Sequence, residues 1–82
     1  MATQGERRAE TRQRLLDAAA DLFATRGIEA SSVDAIAERA ERTSGSLYGQ
    51  FGSKDRLIIE LLDRSKDLVA EHMLVEIGRA HV

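Results

Sequence analysis

The chain has 82 residues, a formal net charge of −2 at pH 7, no cysteine and no proline. This length supports one small domain with a single core, and the lack of cysteine excludes disulfides and thiolate metal sites. Hydrophobic residues make up 43% of the chain and aromatic residues only 4%, which favours a helical globular domain. No apolar run is long enough for a membrane span or a signal peptide, so we expect a cytoplasmic location and no membrane partner.

The first predicted helix begins in a basic segment, whose arginines are Arg7, Arg8, Arg12 and Arg14. Two interpretations of this cluster stay open. In one, the arginines contact nucleic-acid phosphates and offset the acidic net charge locally. In the other, they form a solvated helix face and pair with Glu6 and Glu10 at helical spacing.

An apolar stripe at helical spacing follows, at Leu15, Ala19, Leu22 and Phe23. The run LLDAAADLFA favours a helix strongly. Gly27 is expected to end this helix in the left-handed conformation, with Ile28 reaching back to Phe23 as in a Schellman motif. This helix is therefore predicted to be the scaffold on which the next two pack.

The stretch from residue 31 to residue 54 indicates two short helices joined by a polar turn. The first spans 33–40, is capped by Ser31 or Ser32, and carries Asp34 near the positive end of its dipole. Its apolar residues fall on one face, and they are Val33, Ile36, Ala37 and Ala40. The second spans 44–51 and follows a turn at 41–43.

The second of these helices has a small, uncharged outer face. Leu47 and Phe51, four residues apart, turn to the core. Gly45 and Gly49 each cost about 1 kcal/mol in a helix relative to alanine, so a loop is the alternative structure. We favour a helix, because missing side chains let its backbone approach a groove wall, and the major groove of DNA admits one helix. The pattern predicts a helix-turn-helix over 32–51, with 44–51 as the recognition helix.

A fourth helix is predicted from residue 54 to about residue 75, with Ser53 as its cap. Leu57, Leu61 and Leu68 repeat on one of its faces. The apolar residues of 68–74 have nothing left in this chain to pack on, which implies a missing partner surface.

Three segments resemble one known family. They are TRQRLLDAAADLFATRG, SVDAIAERA and TSGSLYGQFGSKDRLI, and their most specific motif is Leu47-Tyr48-x-x-Phe51-x-Ser53-Lys54. Together they resemble the N-terminal DNA-binding domain of the tetracycline-repressor (TetR) family of transcriptional regulators. The resemblance implies an all-α fold. It consists of a three-helix, homeodomain-like helix-turn-helix DNA-binding domain at 9–57, followed by the start of a long fourth helix.

The chain departs from the family pattern at three places. The turn has Glu41-Arg42 where the family usually has a glycine and an apolar residue. Gly49-Gln50 replaces an aromatic or histidine pair, and Gly52 replaces a frequent proline. These departures concern the turn and the outer face, so the family's base contacts do not transfer directly to this chain.

Several residues are candidates for contacts with DNA phosphates. Tyr48 stands near Lys54 and the start of the fourth helix, where its hydroxyl can bond a phosphate, although a half-buried tyrosine is the alternative. The resemblance implies the same role for Tyr48 and Lys54, and it adds Ser32. Arg42 at the turn is a further candidate for a phosphate contact.

Base reading is assigned to the outer face of the recognition helix, at Thr43, Ser44, Gly45, Ser46, Gly49 and Gln50. Gln50 is the best chemical candidate, because a carboxamide pairs with N6 and N7 of adenine. No arginine or asparagine lies on this face, so guanine reading from this helix is not expected.

Catalysis has little support in this sequence. His72 and His81 lie nine residues apart without a cysteine, a fixed acidic partner or a glycine-rich phosphate loop. We expect neither an enzyme nor a bound cofactor or metal. The alternative to DNA binding is a small helical protein-interaction module, in which 61–74 docks another helix.

The predicted function is sequence-specific binding of operator DNA by the head of a TetR-like regulator, in the form of a ligand-responsive repressor. The resemblance implies that 58–75 connect the head to a ligand-binding and dimerisation domain that this chain lacks. A homodimer and a small-molecule effector are therefore expected for the full-length parent and not for this chain.

The last seven residues, 76–82, are expected to be non-native. They match the translation of a common short-read sequencing adapter, GAG ATC GGA AGA GCA CAC GTC, whose next triplet is a stop. Gly78 also breaks the helical pattern there without a cap or a turn partner. We therefore exclude this segment from functional reasoning, including Arg79 and His81.

Overall fold

The computed structural model describes residues 3–64, all helices and short connections. Helix α1 is Gln4–Arg26, α2 is Val33–Arg39 and α3 is Ser44–Phe51, and residues 54–64 form the described part of a fourth helix, α4. No strand occurs within this range, which confirms the predicted all-α fold with a helix-turn-helix. The predicted continuation of α4 to residue 75 and the segment 76–82 lie outside the described residues.

Helix α1 begins at Gln4, ahead of the domain start expected at residue 9, because a capping box holds its first turn. The Thr3 hydroxyl oxygen accepts from the backbone N–H of Glu6 at 3.1 Å, and the Glu6 carboxylate accepts from the backbone N–H of Thr3 at 3.1 Å. Two of the backbone donors at the start of the helix are thereby satisfied. The basic segment at the start of α1 is therefore ordered helix.

The end of α1 differs from the predicted Schellman motif. Gly27 has a φ of 86° and a ψ of 162°, whereas a left-handed helical residue has a ψ of about +47°. Its N–H donates to the Phe23 oxygen at 3.0 Å, while Ile28 leaves 46% of its surface exposed. The fully buried Ser31 hydroxyl donates to the Gly27 oxygen at 2.7 Å, and this bond holds the extended backbone that leads into α2.

A Schellman motif instead ends α2 and forms the turn of the helix-turn-helix. Arg42 N–H donates to the Ala37 oxygen at 2.9 Å, and Glu41 N–H donates to the Glu38 oxygen at 3.0 Å. The backbone of Glu41 has a φ of 58°. This left-handed position usually holds glycine, so a glutamate there carries a backbone strain of about 1–2 kcal/mol.

The core lies where α1 crosses the other helices. The predicted stripe of α1 is buried, with Phe23 at its edge, and α2, α3 and α4 each bury an apolar face against it. The largest fully buried apolar side chains are Leu15, Ile36, Leu47 and Leu57. Each of these side chains stabilises the fold by about 1.5–3 kcal/mol on burial. Because they come from four different helices, all four helices share one core.

Arg12 ties three helices together at the edge of this core. Its guanidinium lies 4.5 Å from the centroid of the Phe51 ring, and its Nη1 donates to the backbone oxygen of Gln50 at 3.0 Å. Its Nη2 forms an ion pair with Glu60 of α4. The positive charge thus meets a π face, the last turn of α3 and a carboxylate, each of which attracts a cation.

We predict that Glu41→Gly raises the free energy of unfolding by about 1 kcal/mol, because glycine removes the cost of the left-handed conformation. Urea unfolding followed by circular dichroism measures the change. Glu41→Ala is the matched control, because it also removes the exposed Arg14 ion pair at 3.6 Å but keeps the strain. Equal effects of the two substitutions would show that the backbone conformation at this residue is not strained.

We predict that Arg12→Ala lowers the free energy of unfolding by about 2 kcal/mol, because hydrogen bonds to charged groups contribute about 1.5–3 kcal/mol. Arg14→Ala is the control on the same helix. Its ion pairs with Glu10 and Glu41 are roughly half exposed or more, and such pairs contribute about 0–1 kcal/mol. The role given to Arg12 is wrong if urea unfolding finds the two variants equally stable.

Candidate nucleic-acid interface

The outer face of α3 carries no side chain at its centre. At about 100° per residue, Leu47 and Phe51 point to the core, and Gly45 and Gly49 point directly away from it. A Cβ on Gly49 would have no neighbour within 4 Å, and one on Gly45 would meet only the Thr43 hydroxyl, at 3.7 Å. Packing within the domain therefore gives no reason for a glycine at either position. The segment 44–51 is the predicted helix and not the alternative loop.

Hydroxyl groups border this bare strip, and each also bonds within the domain. Thr43 caps α3, since its oxygen accepts from the Ser46 N–H at 3.1 Å, and its hydroxyl donates to the Ser46 oxygen at 3.1 Å. The Ser46 hydroxyl thus keeps its own proton for another partner. Ser44 donates to the Asp34 carboxylate, which ties α3 to α2 and explains an acidic residue beside this surface.

Gln50, the predicted adenine reader, is held against α1. Its Nε2 donates to the backbone oxygen of Arg8 at 2.9 Å, and its Oε1 lies 3.4 Å from Nη1 of Arg12. A carboxamide offers two N–H donors and two acceptor lone pairs. One N–H and one lone pair of Gln50 are therefore left for a base, and the domain restricts their direction.

Three of the four predicted phosphate contacts remain accessible. Tyr48 is 52% exposed. Ser32 caps α2 by accepting from the Ala35 N–H at 3.1 Å, which leaves its hydroxyl proton free. Lys54 donates to the Ile28 oxygen at 2.7 Å and has two further donors.

Arg42, the fourth predicted phosphate contact, is used inside the domain. Its Nε donates to the Thr11 hydroxyl at 3.1 Å, and its Nη1 donates to the Glu41 oxygen at 2.9 Å. The Glu10 carboxylate lies 3.9 Å from its Nη2. The structure thus places Arg42 between the turn and α1.

The arginines fall into paired and unpaired groups. Five of them lie within 4.0 Å of a carboxylate in residues 3–64, namely Arg12, Arg14, Arg39, Arg42 and Arg64. Over the same range, Arg7, Arg8, Arg26 and Arg56 have no such pair. The basic cluster predicted at the start of α1 is therefore divided, because its second half bonds within the protein. The internal contacts of Arg12 had no signal in the sequence, since their partners lie 38 and 48 residues away.

Other kinds of site find no support in the part of the chain that the structure describes. It contains no group of three or more histidine, cysteine or acidic residues that could hold a metal. None of its helices is both long and apolar enough to cross a membrane. His72 and His81 lie outside the described residues.

Known proteins match the same part of the chain. Residues 15–61 match the family described as bacterial regulatory proteins, tetR family. The HTH-type transcriptional repressor KstR2 of Rhodococcus jostii is 51% identical over 51 residues, which are 62% of this chain and 25% of that protein. KstR2 of Mycolicibacterium smegmatis is 46% identical over 54 residues, covering 66% of this chain and 26% of that protein. No solved structure matches the chain significantly.

A more distant relative gives the same result. The HTH-type transcriptional regulator AcrR of Shigella flexneri is 37% identical over 62 residues, which are 76% of this chain and 29% of that protein. The chain thus spans between a quarter and a third of the length of these relatives. Residues 15–61 contain the whole buried core, the helix-turn-helix and the start of α4. The resemblance predicted from the sequence is confirmed. The chain belongs to the tetR family of bacterial regulatory proteins.

Proposed function

We propose that this chain binds double-stranded DNA sequence-specifically, as the DNA-binding head of a transcriptional regulator, with α3 in the major groove. The bare outer face of α3 is the observation that carries the proposal. A helix with its side chains is about 10–12 Å across, and the major groove is about 12 Å wide. Gly45 and Gly49 reduce the width of α3 on the side that enters, so its backbone can approach the base edges.

We assign base reading to the outer face of α3, that is, to Thr43, Ser44, Gly45, Ser46, Gly49 and Gln50. Ser46 supports this assignment most directly, because its hydroxyl keeps a proton to donate and serine bonds several bases. Gln50 presents a remaining N–H and lone pair, held in place by Arg8 and Arg12. A held carboxamide loses less conformational freedom when it pairs with adenine.

We assign phosphate contacts to Ser32, Tyr48 and Lys54, which border α3 and the loop before α2. The Lys54 bond to the Ile28 oxygen, four residues before Ser32, joins the start of α4 to that loop. Arg42 contributes to phosphate binding in this proposal only if its bond to Thr11 opens. Phosphate contacts position the helix, and base contacts select the sequence.

For the whole protein we infer a homodimeric, ligand-responsive repressor acting in the cytoplasm. The KstR2 relatives are named repressors, and two heads one helical turn apart read a two-fold symmetric operator. In this proposal 9–57 form the head and 58–75 connect it to the domain that binds the effector. The DNA contacts that one chain makes through α3 are then half of a symmetric interface with the operator.

We predict that Gly49→Ala changes stability and DNA binding in opposite directions. The added methyl meets nothing inside the domain, so we expect the free energy of unfolding to rise by about 0.5–1 kcal/mol. At the groove floor the same methyl costs about 1–3 kcal/mol, which lowers the affinity for a duplex selected from a random library by about tenfold. Urea unfolding and fluorescence anisotropy measure the two effects.

Gly5→Ala is the matched control for this pair of measurements, because it adds the same methyl to α1 with its nearest neighbour 3.9 Å away. It is expected to stabilise the domain without weakening DNA binding. If Gly49→Ala binds the duplex with undiminished affinity, the placement of α3 in the major groove is wrong. If the unaltered chain shows no salt-dependent binding to any duplex at low salt, the interpretation as a protein-interaction module replaces this one.

We predict that Tyr48→Phe weakens binding to all duplexes by the same factor and leaves stability unchanged. The substitution removes only the exposed hydroxyl, and a hydrogen bond to a charged phosphate contributes about 1.5–3 kcal/mol. Ser46→Ala is the comparison, since loss of a base contact alters the order of preference among duplexes. A change of sequence preference in Tyr48→Phe would place this hydroxyl on a base edge instead.

A further inference from the structure

A cleft of about 300 Å³ separates the start of α1 from one flank of α3. Its lining includes Arg7, Arg8 and Thr11 of α1 and Ser46, Gly49 and Gln50 of α3. The residues of α1 lie on one side of the helix, since Arg7 and Arg8 are four and three positions before Thr11. The cleft therefore opens beside the same bare strip that faces the proposed groove.

This cleft lies on the opposite flank of α3 from Tyr48. At about 100° per residue, Ser46 and Gln50 lie on one side of Gly49, and Ser44 and Tyr48 lie on the other. The bonds agree with this division, because Gln50 contacts the backbone of α1 and Ser44 contacts Asp34 of α2. The phosphate contacts proposed above thus occupy the α2 flank and leave the α1 flank without a proposed partner.

The two arginines that line the cleft are free to bind an anion. Both are exposed, and neither lies within 4.0 Å of a carboxylate in residues 3–64. Glu6 is used by the capping box of α1. Glu10 lies within 4.0 Å of Arg14 and Arg42. The acidic residues nearest in sequence thus already have partners.

We propose that Arg7 and Arg8 bind the sugar-phosphate strand that forms the second wall of the major groove. This inference rests on the proposed function. A helix in the major groove has one phosphate strand on each side, and the cleft receives the strand opposite the Tyr48 flank. A guanidinium binds phosphate oxygens in a bidentate manner. The chain, despite its net charge of −2, thus presents positive charge to both strands.

The test is the salt dependence of binding to a short, mixed-sequence duplex, measured by fluorescence anisotropy on the whole chain. In Arg7→Gln/Arg8→Gln the slope of log K against log salt is expected to decrease by about 1.8 units, because each phosphate neutralised contributes about 0.9. The order of preference among duplexes is expected to stay the same, since these contacts read no base.

Arg26→Gln/Arg39→Gln is the matched control, with the same change of net charge. These arginines border a separate surface near Leu22 and Glu38, so the slope is expected to equal that of the unaltered chain. Equal slopes in both double variants would overturn the inference while leaving the proposed function intact. Absence of salt-dependent binding by the unaltered chain would reject the proposed function itself.

A charge-retaining variant separates charge from structure. Arg7→Lys/Arg8→Lys keeps both positive charges and is expected to keep the slope, because lysine also binds phosphate, as a point charge. Thermal unfolding of the glutamine variant is expected to match that of the unaltered chain, since neither guanidinium forms an ion pair within residues 3–64. A lost slope in the lysine variant as well would contradict charge neutralisation and overturn the inference.

Discussion

The position of the recognition helix depends on one guanidinium. Arg12 stacks on Phe51, binds the backbone oxygen of Gln50 and pairs with Glu60, so it joins α1 to the last turn of α3 and to α4. A planar group with fixed donors holds these partners at defined angles, which a flexible ammonium group would not do. The direction in which α3 projects from the domain is therefore set at its C-terminal end, away from the surface that we propose to face DNA.

A net charge of −2 is compatible with DNA binding because five of the nine arginines in residues 3–64 are paired with carboxylates, which neutralises those acidic residues. The ion pairs of Arg39 with Asp21 and of Arg64 with Asp17 neutralise charge on the helix faces away from α3. Within residues 3–64, the cations beside α3 that form no ion pair are Arg7, Arg8 and Lys54. A docking surface requires only a local surplus of positive charge, and the pairing of the other residues creates that surplus without a basic composition.

The structure of the turn between α2 and α3 shows how this chain accommodates residues that differ from the family pattern. The family pattern of a glycine followed by an apolar residue is the sequence signature of a Schellman motif, and this chain forms the same hydrogen bonds with Glu41 and Arg42. Arg42 compensates by bonding to Thr11, so the turn is tied to α1 by a polar contact. Gly52 has a φ of 88°, a conformation closed to the proline that the family often has at this position.

The helices and the apolar faces of the core could be predicted from the amino-acid sequence, because they follow from local spacing at the helical period. The family could be predicted as well, from the resemblance of three segments to the known pattern. Leu15, Leu47 and Leu57 are buried as that spacing predicts. Which polar groups already have partners could not be predicted, because Arg12, Gln50 and their partners lie about 40 residues apart along the chain. Contacts at that separation leave no periodic signal. They form only when the core brings α1 against α3 and α4.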